Sequence, residues 1–249
     1  MRIVLAPMPR QARLIVPDVA LHVIQRGHNR QACFRHETDD LVYLTTLGEL
    51  LAKSACALHA YCLMTNHVHM LLTPSTADSC ARLMRNLGQR YAQYFNRRYE
   101  RTGALWEGRF RSCLVDSARY VIACQRYVEL NPVRAGMVPF ASAYRWSSHN
   151  GNAGRVLDKL LTPHREFLAL ANDDASRHAA YQSMLSEADE PAFLAAIRDA
   201  TNGGFALVGD ALKSSVQADT GRCLERRKPG PAPARASADV DRLSGELGF

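Results

Sequence analysis

Two apolar runs near the first quarter of the chain constrain the fold more than any other feature of the sequence. Residues 56–64 (CALHAYCLM) and 67–73 (HVHMLLT) are rich in residues that favour β-strands, and only Thr65 and Asn66 separate them. A short polar connection of this kind suits a tight turn between antiparallel strands. The sequence therefore predicts two adjacent antiparallel strands.

Helical and extended patterns alternate on both sides of these strands. The predicted elements are a strand over residues 18–26, an amphipathic helix over 37–55, the two strands above, a second helix over 78–99, an extended segment over 104–116 that ends in a strand, and a third helix over 117–130. The first six elements have the order βαββαβ. This order predicts a ferredoxin-like α+β fold, an antiparallel sheet with helices on one face.

The third helix has recognisable ends, and the strand signals fade after it. Ser117 suits the N-cap, and Asn131 precedes Pro132, which pushes it out of helical geometry. Beyond about residue 146 the sequence predicts a mainly helical C-terminal extension, with helical patches between about residues 163 and 218. The last segment, with RRKPGPAPARA, is predicted to be a flexible, basic, proline-rich tail.

The cysteines and the hydropathy exclude several classes of protein. The seven cysteines are scattered and contain no CxxC pair, so neither a disulfide framework nor a cysteine zinc site is expected. No stretch approaches the roughly eighteen apolar residues of a membrane span, and prolines and arginines interrupt the first residues before a signal-peptide core forms. We therefore expect a reduced, cytoplasmic protein without a membrane partner.

Positive charge is concentrated in one segment. Residues 82–126 hold ten arginines and three acids, so their net charge equals that of the whole chain, +7. Tyrosine, tryptophan and phenylalanine residues are interleaved with these arginines. Guanidinium groups beside aromatic faces suit phosphates and unpaired bases. The alternative interpretation is a solvated helix face that happens to use arginine.

Two residue pairs could carry chemistry. His67 and His69 flank Val68, and residues i and i+2 of a strand project from the same face, as a divalent metal site needs. They could equally be half-buried strand histidines with backbone partners. Tyr127 and Asn131 lie four residues apart on one helical face. They could equally be a packing aromatic and a helix C-cap.

Several longer phrases together resemble one family. They are HVIQRG, AYCLMTNHVHMLL, LMRNLGQRYAQYFNRRYERTGALWEGRFRS, RYVELNPVRAGMV and YRWSS. In this order they resemble the HUH-type single-tyrosine transposases, and most closely the REP-associated tyrosine transposases of bacteria. The resemblance covers about residues 8–149 and suggests Met8 as the true start. It leaves residues 150–225 as a helical extension of unknown role and residues 226–249 as the tail.

The resemblance implies a DNA transposase that uses Mg or Mn, acts on single-stranded or hairpin DNA and forms a 5′-phosphotyrosine intermediate. His67 and His69 match the metal-binding histidine pair of the family, Tyr127 matches its nucleophile, and Asn131 matches the third metal ligand. Family members act as monomers or homodimers, and a monomer is favoured here. We leave Glu129 out of this site and expect His149 and His164 at the surface.

DNA contacts are expected from the basic segment. The candidates are Arg85, Arg90, Arg97, Arg98, Arg101, Trp106, Arg109 and Arg111, with Tyr94 as a further stacking surface. Three other functions remain open: a nucleic-acid-binding module in which the histidines are structural, a regulator descended from a transposase whose chemistry is idle, and a metal-dependent nuclease that uses water. The nuclease would not need Tyr127.

Overall fold

A single mixed β-sheet organises the chain. The structure is a computed structural model that describes residues 13–186, 191–221 and 224. Within these residues five strands form the sheet in the order β2-β3-β1-β4-β5: β1 is Ala20–Arg26, β2 is Cys56–Met64, β3 is His67–Pro74, β4 is Arg111–Val115 and β5 is Ala206–Leu207. The first four strands are antiparallel to their neighbours, whereas β5 pairs in parallel with β4.

The helices of the described residues are three long ones in the first half of the chain and six further ones after it. They are α1 (Glu37–Ser54), α2 (Ser79–Arg98), α3 (Ala118–Glu129), α4 (Asn131–Arg134), α5 (His149–Asn152), α6 (Arg165–Leu168), α7 (Asp174–Ser186), α8 (Pro191–Gly203) and α9 (Asp210–Thr220). The order of β1, α1, β2, β3, α2 and β4 confirms the predicted βαββαβ arrangement and the α+β class. None of these helices is both long and apolar enough to cross a bilayer.

Helices cover both faces of the sheet, which differs from the expectation of helices on one face. On the first face, Val23 and Met70 belong to a core shared with α1 and α2. On the second face, Leu71 belongs to a separate core with Val128 of α3 and Ile197 of α8. The physical reason is that both sides of the central strands are apolar. A second layer is therefore needed to remove the other side from water.

Part of that second layer comes from the predicted C-terminal extension. Helix α8 lies against β4 and β1, and β5 extends the sheet beyond β4. The extension is mainly helical, as expected, but it also supplies a strand that the sequence patterns do not predict. The predicted tail, residues 226–249, and the segment around Met8 lie outside the described residues.

The ends of α3 differ from the expectation in detail. Ser117 stands at the N-cap position, but its φ is +81° and its side chain makes no capping hydrogen bond. Helix α3 ends at Glu129, and Asn131 begins the one-turn helix α4, in which Pro132 is tolerated because a first-turn N–H needs no helical partner. A single residue, Leu130, therefore separates α3 from α4.

A buried carboxylate ties α3 to the extension. Glu129 is fully buried and accepts hydrogen bonds from Ser148 (2.7 Å), Asn152 (2.6 Å) and Tyr181 (2.8 Å). His149 lies 3.6 Å from the same carboxylate. The expectation of a surface position is wrong for His149 and likewise for His164, which are only 5% and 8% exposed. Both are covered by elements far from them in sequence.

Candidate active site

Strand alternation places four polar side chains on the second face of the sheet. Arg26 lies directly opposite His67 in the β1–β3 pair, and Ile24 lies opposite His69. Because residues opposite each other in an antiparallel pair share a face, His22, Arg26, His67 and His69 all project towards α3 and α8. The predicted shared face of His67 and His69 is present, and their ring centroids lie 4.9 Å apart.

The His67 ring is oriented by its neighbour. Its Nδ1 lies 2.6 Å from Oδ1 of Asn66, while Nδ2 of Asn66 donates to the backbone oxygen of Arg30 at 3.0 Å. The second bond fixes which end of the amide faces His67, so Nδ1–H of His67 must be the donor. The lone pair of the neutral ring therefore lies on Nε2.

The His69 ring lies deeper and contacts a third histidine. His69 is 3% exposed, and its Nδ1 is 2.9 Å from Nε2 of His22. The two rings are stacked, with their centroids 5.2 Å apart. Nδ1 of His22 in turn lies 2.8 Å from the hydroxyl oxygen of Thr201 on α8. The two buried histidines thus form a continuous polar contact between β3, β1 and the C-terminal extension.

Burial keeps these three imidazoles neutral. It lowers the pKa of His22 to about 3 and that of His67 to about 4, the latter with help from the charge of Arg26. Burial also holds the pKa of His69 well below its ordinary value, and the neighbouring His22 and His67 lower it further. Neutral imidazole is the form that ligates a metal ion.

Tyr127 lies over the histidines. Its side chain is 5% exposed, and its ring meets His69 edge-on with centroids 5.8 Å apart. The ring contacts His22 in the same way at 5.6 Å. Helix α3 holds this position because Val128 and Cys124 bury their side chains in the second core on either side of Tyr127. The predicted histidine pair and the predicted tyrosine are therefore brought together within one chain.

Two arginines act on Tyr127. The guanidinium carbon of Arg134 lies 4.6 Å from the centre of the tyrosine ring, and the same side chain donates to the backbone oxygen of Tyr127. Arg198 of α8 hydrogen-bonds with the tyrosine side chain. Burial raises the pKa of Tyr127 above its ordinary value, whereas the hydrogen bond from Arg198 and the charges of Arg134 and Arg198 lower it.

Asn131 is positioned by the end of α3. Its Nδ2 donates to the backbone oxygens of Tyr127 at 3.0 Å and Val128 at 3.3 Å, which caps the helix. The amide nitrogen of Asn131 therefore has the C-cap role that was one of the two interpretations of this residue. The cap also fixes the amide orientation, so that Oδ1 is directed away from these carbonyls and retains its lone pairs.

The available donor set suits a divalent cation. Across the described part of the chain, no three His, Cys, Asp or Glu side chains come together as a metal-binding group. The predicted third ligand, Asn131, is an amide and belongs to none of those four types. Two neutral imidazole nitrogens and one amide oxygen are ligands that Mn²⁺ accepts, and they leave nearly all of its charge uncompensated.

A basic cavity lies on the same face as the histidines. It measures about 350 Å³ and includes Arg26, Arg109 and Arg111 in its wall, together with Asn202 of α8. Arg111 donates to the side-chain oxygen of Asn202 at 2.8 Å. Arg26 is also the residue opposite His67, so one residue of the cavity wall is the strand neighbour of the histidine pair. Of the predicted DNA contacts, Arg109 and Arg111 are therefore close to the site.

The remaining predicted DNA contacts lie towards the first face of the sheet. Arg85, Arg90, Arg97, Arg98 and Arg101 are on or just after α2. Two of them have acidic partners: Arg90 pairs with Glu49 at 2.7 Å, and Arg98 pairs with Asp39 at 3.5 Å. The sheet therefore separates this basic helix from the histidine pair.

The two predicted stacking residues, Trp106 and Tyr94, each hydrogen-bond through their polar atom within the protein. Trp106 is only 9% exposed, and its indole N–H donates to the backbone oxygen of Gly88 at 3.0 Å. It forms part of the wall of a second cavity of about 680 Å³, which Arg85 and Arg109 also line. Tyr94 donates its hydroxyl proton to Asp39 at 2.9 Å. Stacking of bases on either ring stays a prediction.

The sequence patterns do not single out several residues that complete the site. They are His22, Arg26, Arg134, Arg198 and Thr201. Period-two alternation in β1 could have shown that His22 and Arg26 share a face. No local signal links that face to β3, however, because strand pairing is non-local. The two residues of α8 are more than seventy positions after Tyr127 and could not be connected with it by spacing.

One family model and two solved structures are similar to this chain. Residues 15–131 match the family model described as IS200-like transposase. A solved structure of a REP-associated tyrosine transposase bound to a REP hairpin has a TM-score of 0.51 and 16% sequence identity, and the match covers 64% of this chain and 93% of that one. At this identity the likeness speaks for the fold.

A second solved structure is less similar in its overall shape. It is a protein from Deinococcus radiodurans R1 proposed to be a transposase, with a TM-score of 0.35 and 22% identity over 49% of this chain and 96% of that one. No curated protein matches the chain.

Proposed function

Since residues 15–131 match the IS200-like transposase family model, we propose that this protein is a metal-dependent DNA transposase of the REP-associated kind. It cleaves and rejoins single-stranded or hairpin DNA through a 5′-phosphotyrosine intermediate on Tyr127. The activity is assigned to the domain of residues 8–149, and its setting is the cytoplasm, where the DNA substrate is found.

One observation supports this proposal above the others. The ring of Tyr127 contacts the ring of His69 at 5.8 Å, and His67 lies beside His69 on the same face. A nucleic-acid-binding module has no chemical need for a tyrosine beside two neutral imidazoles. The contact forms within one chain, so this site needs no second copy, which favours a monomer over a homodimer.

The covalent step uses Tyr127 as the nucleophile. The phenolate oxygen attacks the phosphorus of a phosphodiester, and the bond between phosphorus and the 3′ oxygen breaks. The products are a phosphate ester between the DNA 5′ end and Tyr127, and a 3′-hydroxyl that has taken up one proton. The phosphate remains a diester throughout, so a 3′-hydroxyl can attack the ester and restore a DNA strand without ATP.

The charges around Tyr127 support this step. Arg134 and Arg198 favour the phenolate over the phenol, because both place positive charge beside the developing anion. Mg²⁺ or Mn²⁺ would be held by Nε2 of His67, Nε2 of His69 and Oδ1 of Asn131. A bound cation supplies charge withdrawal from the phosphate oxygens, which otherwise repel the nucleophile.

The basic cavity supports a route for the DNA. Arg26, Arg109 and Arg111 line it beside the histidines, and guanidinium groups bind phosphate in two-pronged geometry. We propose that the strand being cut lies along this cavity. The arginines of α2 contact DNA that continues past the edge of the sheet, such as a hairpin stem, and single-stranded or hairpin DNA is the partner.

The test is covalent capture of DNA. Purified protein is incubated with end-labelled single-stranded hairpin DNA from the flanks of its own gene, with and without Mg²⁺ or Mn²⁺, and the products are separated on a denaturing gel. We expect a metal-dependent adduct in the wild type and none in Tyr127→Phe. The matched control is Tyr120→Phe, which removes a hydroxyl from the same helix where the ring stacks on Phe193. It should retain the adduct.

A second candidate function follows from the burial of the site. Tyr127 and His69 are 5% and 3% exposed, which also suits a DNA-binding regulator whose chemistry is idle. That function predicts DNA binding without an adduct in any variant. DNA cleavage that survives Tyr127→Phe would instead identify water as the nucleophile, and the tyrosine mechanism would be wrong.

A further inference from the structure

The contact from His69 to Thr201 has a direction that the hydrogen bonds determine. The hydroxyl of Thr201 donates to the backbone oxygen of Ile197, one turn earlier in α8, at 2.8 Å. A hydroxyl has only one proton to donate. The 2.8 Å contact between Thr201 and His22 must therefore be a bond in which Nδ1–H of His22 donates to the hydroxyl oxygen.

The assignment then passes along the chain of rings. A neutral His22 with its proton on Nδ1 has its lone pair on Nε2, which accepts from Nδ1–H of His69 at 2.9 Å. His69 is thereby held as the Nδ1–H form with its lone pair on Nε2. Cys113 Sγ lies 3.2 Å from the same hydroxyl oxygen, and its S–H donates to it. Every proton in this series of hydrogen bonds from His69 to Thr201 then has an acceptor.

From this geometry we propose that His22 and Thr201 are positioning residues that fix the tautomer and orientation of His69 and so present Nε2 for metal binding. Thr201 belongs to α8, so the C-terminal extension completes the site. The inference rests on the proposed function for its metal, but the tautomer assignment stands without it. Histidine ligands commonly donate their other N–H to a second group that fixes the ring.

The burial of His22 and Thr201 supports a positioning role for both residues. His22 and Thr201 are both fully buried, at 0% exposure, and an apolar residue in place of Thr201 would leave Nδ1–H of His22 without the acceptor it has here. An unpaired polar group in this position is costly. A mere core position would be filled at least as well by an aliphatic side chain. His67 has a separate partner in Asn66, so the two ligands are oriented by independent bonds.

The test compares two substitutions of Thr201, one that removes the hydroxyl group and one that keeps it. Thr201→Val keeps the shape and removes the hydroxyl, whereas Thr201→Ser keeps the hydroxyl. Mn²⁺ affinity of the full chain is measured by electron paramagnetic resonance of free Mn²⁺, with circular dichroism as the check on folding. We expect Thr201→Val to weaken Mn²⁺ binding roughly 10- to 100-fold and Thr201→Ser to restore it to within about threefold of the wild type.

A second measurement reads the tautomer directly. Nitrogen-15 NMR of the metal-free wild type distinguishes a protonated Nδ1 from a protonated Nε2. We expect Nδ1–H on both His22 and His69. Protonated Nε2 on His69 would overturn the inference, and so would Mn²⁺ affinity that Thr201→Val leaves unchanged in a folded protein.

The outcomes separate this inference from the proposed function. If the wild type binds no Mn²⁺, the metal-dependent function is wrong. The NMR spectrum alone then tests whether His22 and Thr201 fix the tautomer of His69. If Mn²⁺ binds and His69→Ala abolishes the binding while Thr201→Val does not alter it, the proposed ligand stands and the positioning role of Thr201 is wrong.

Discussion

The guanidinium group of Arg134 lies against the ring of Tyr127, with its central carbon 4.6 Å from the ring centre. The arginine also donates to the backbone oxygen of that tyrosine, so ring and charge are held together. A cation at this distance lowers the pKa of the phenol, which burial raises.

Removal of the Arg134 charge should shift the pH dependence of adduct formation. The reactive form is the phenolate, so the rate rises with pH until the pKa of Tyr127 is reached. In Arg134→Met that pKa rises further, so we expect the midpoint to move to higher pH and the rate at pH 8 to fall several-fold. Arg134→Lys keeps the charge, so its midpoint should lie between those of the wild type and Arg134→Met. An unchanged midpoint in folded Arg134→Met would contradict the role.

The two basic regions should differ in their effect on single-stranded DNA. In the double variant Arg109→Gln, Arg111→Gln, the slope of log affinity against log salt should decrease by about 1.4, since each phosphate contact contributes about 0.7. The matched double variant Arg97→Gln, Arg101→Gln removes the same charge from the C-terminal end of α2 and the residues after it, and neither residue lines the two cavities that include Arg109. With a short strand without a hairpin stem, it should alter the slope less. Equal changes of the slope in the two double variants would contradict the proposed path of the DNA strand along the basic cavity.

Acid should destabilise the protein through its buried histidines. His59 has a pKa lowered to about 4 by burial, and that of His22 is lowered to about 3. Because the unfolded chain binds these protons near pH 6.5, the stability they contribute is present above that pH and is lost as pH falls towards about 4. Each histidine should add about 1.4 kcal/mol per pH unit to the slope of unfolding free energy.

Urea unfolding between pH 7 and 5 measures this slope. His59→Gln should remove one histidine's share, because His59 lies between Thr162 and Thr73 away from the candidate metal ligands. His28→Gln makes the same replacement at an exposed position and serves as the control, which should reduce the slope less than His59→Gln does. A slope that His59→Gln does not reduce would show that this ring is protonated in the folded state.

The buried carboxylate of Glu129 should matter for stability. Its two oxygens accept three hydrogen bonds, and Glu129→Gln turns an N–H₂ group towards at least one of those donors. We expect a loss of about 1 to 3 kcal/mol in the free energy of unfolding. Glu49→Gln breaks only an exposed ion pair with Arg90 and should cost less than about 1 kcal/mol. Urea titrations measure both free energies of unfolding. Equal losses in Glu129→Gln and Glu49→Gln would show that the hydrogen bonds of Glu129 do not stabilise the fold.

Local patterns predict the elements of the first half of the chain closely. The strand predicted over residues 56–64 has those bounds in the structure, because alternation and a two-residue turn are both local. The second layer of helices was not predicted, although the sequence held a hint of it. Residues 58–64 are all buried, and their near-continuous apolar run is typical of a strand covered on both faces.

The site was predicted in part for the same reason. His67 and His69 share a strand, and Tyr127 and Asn131 share a helical region, so short spacings identify each pair. The resemblance to a family joins the two pairs. His22 contacts His69 only because β1 pairs with β3, and Thr201 reaches them through α8, which local periodicity cannot place. These non-local partners are the residues that sequence spacing leaves out.

The pairing of β5 with β4 has a consequence for the choice of fragment boundaries. Leu114 and Val115 hydrogen-bond with the strand Ala206–Leu207, which occupies the outer side of β4. A fragment cut near residue 150 would leave that side open and uncover the apolar side chains beneath α8. Exposed strand edges beside apolar surface recruit other chains. Such a fragment should self-associate, and β5 protects the native protein from this.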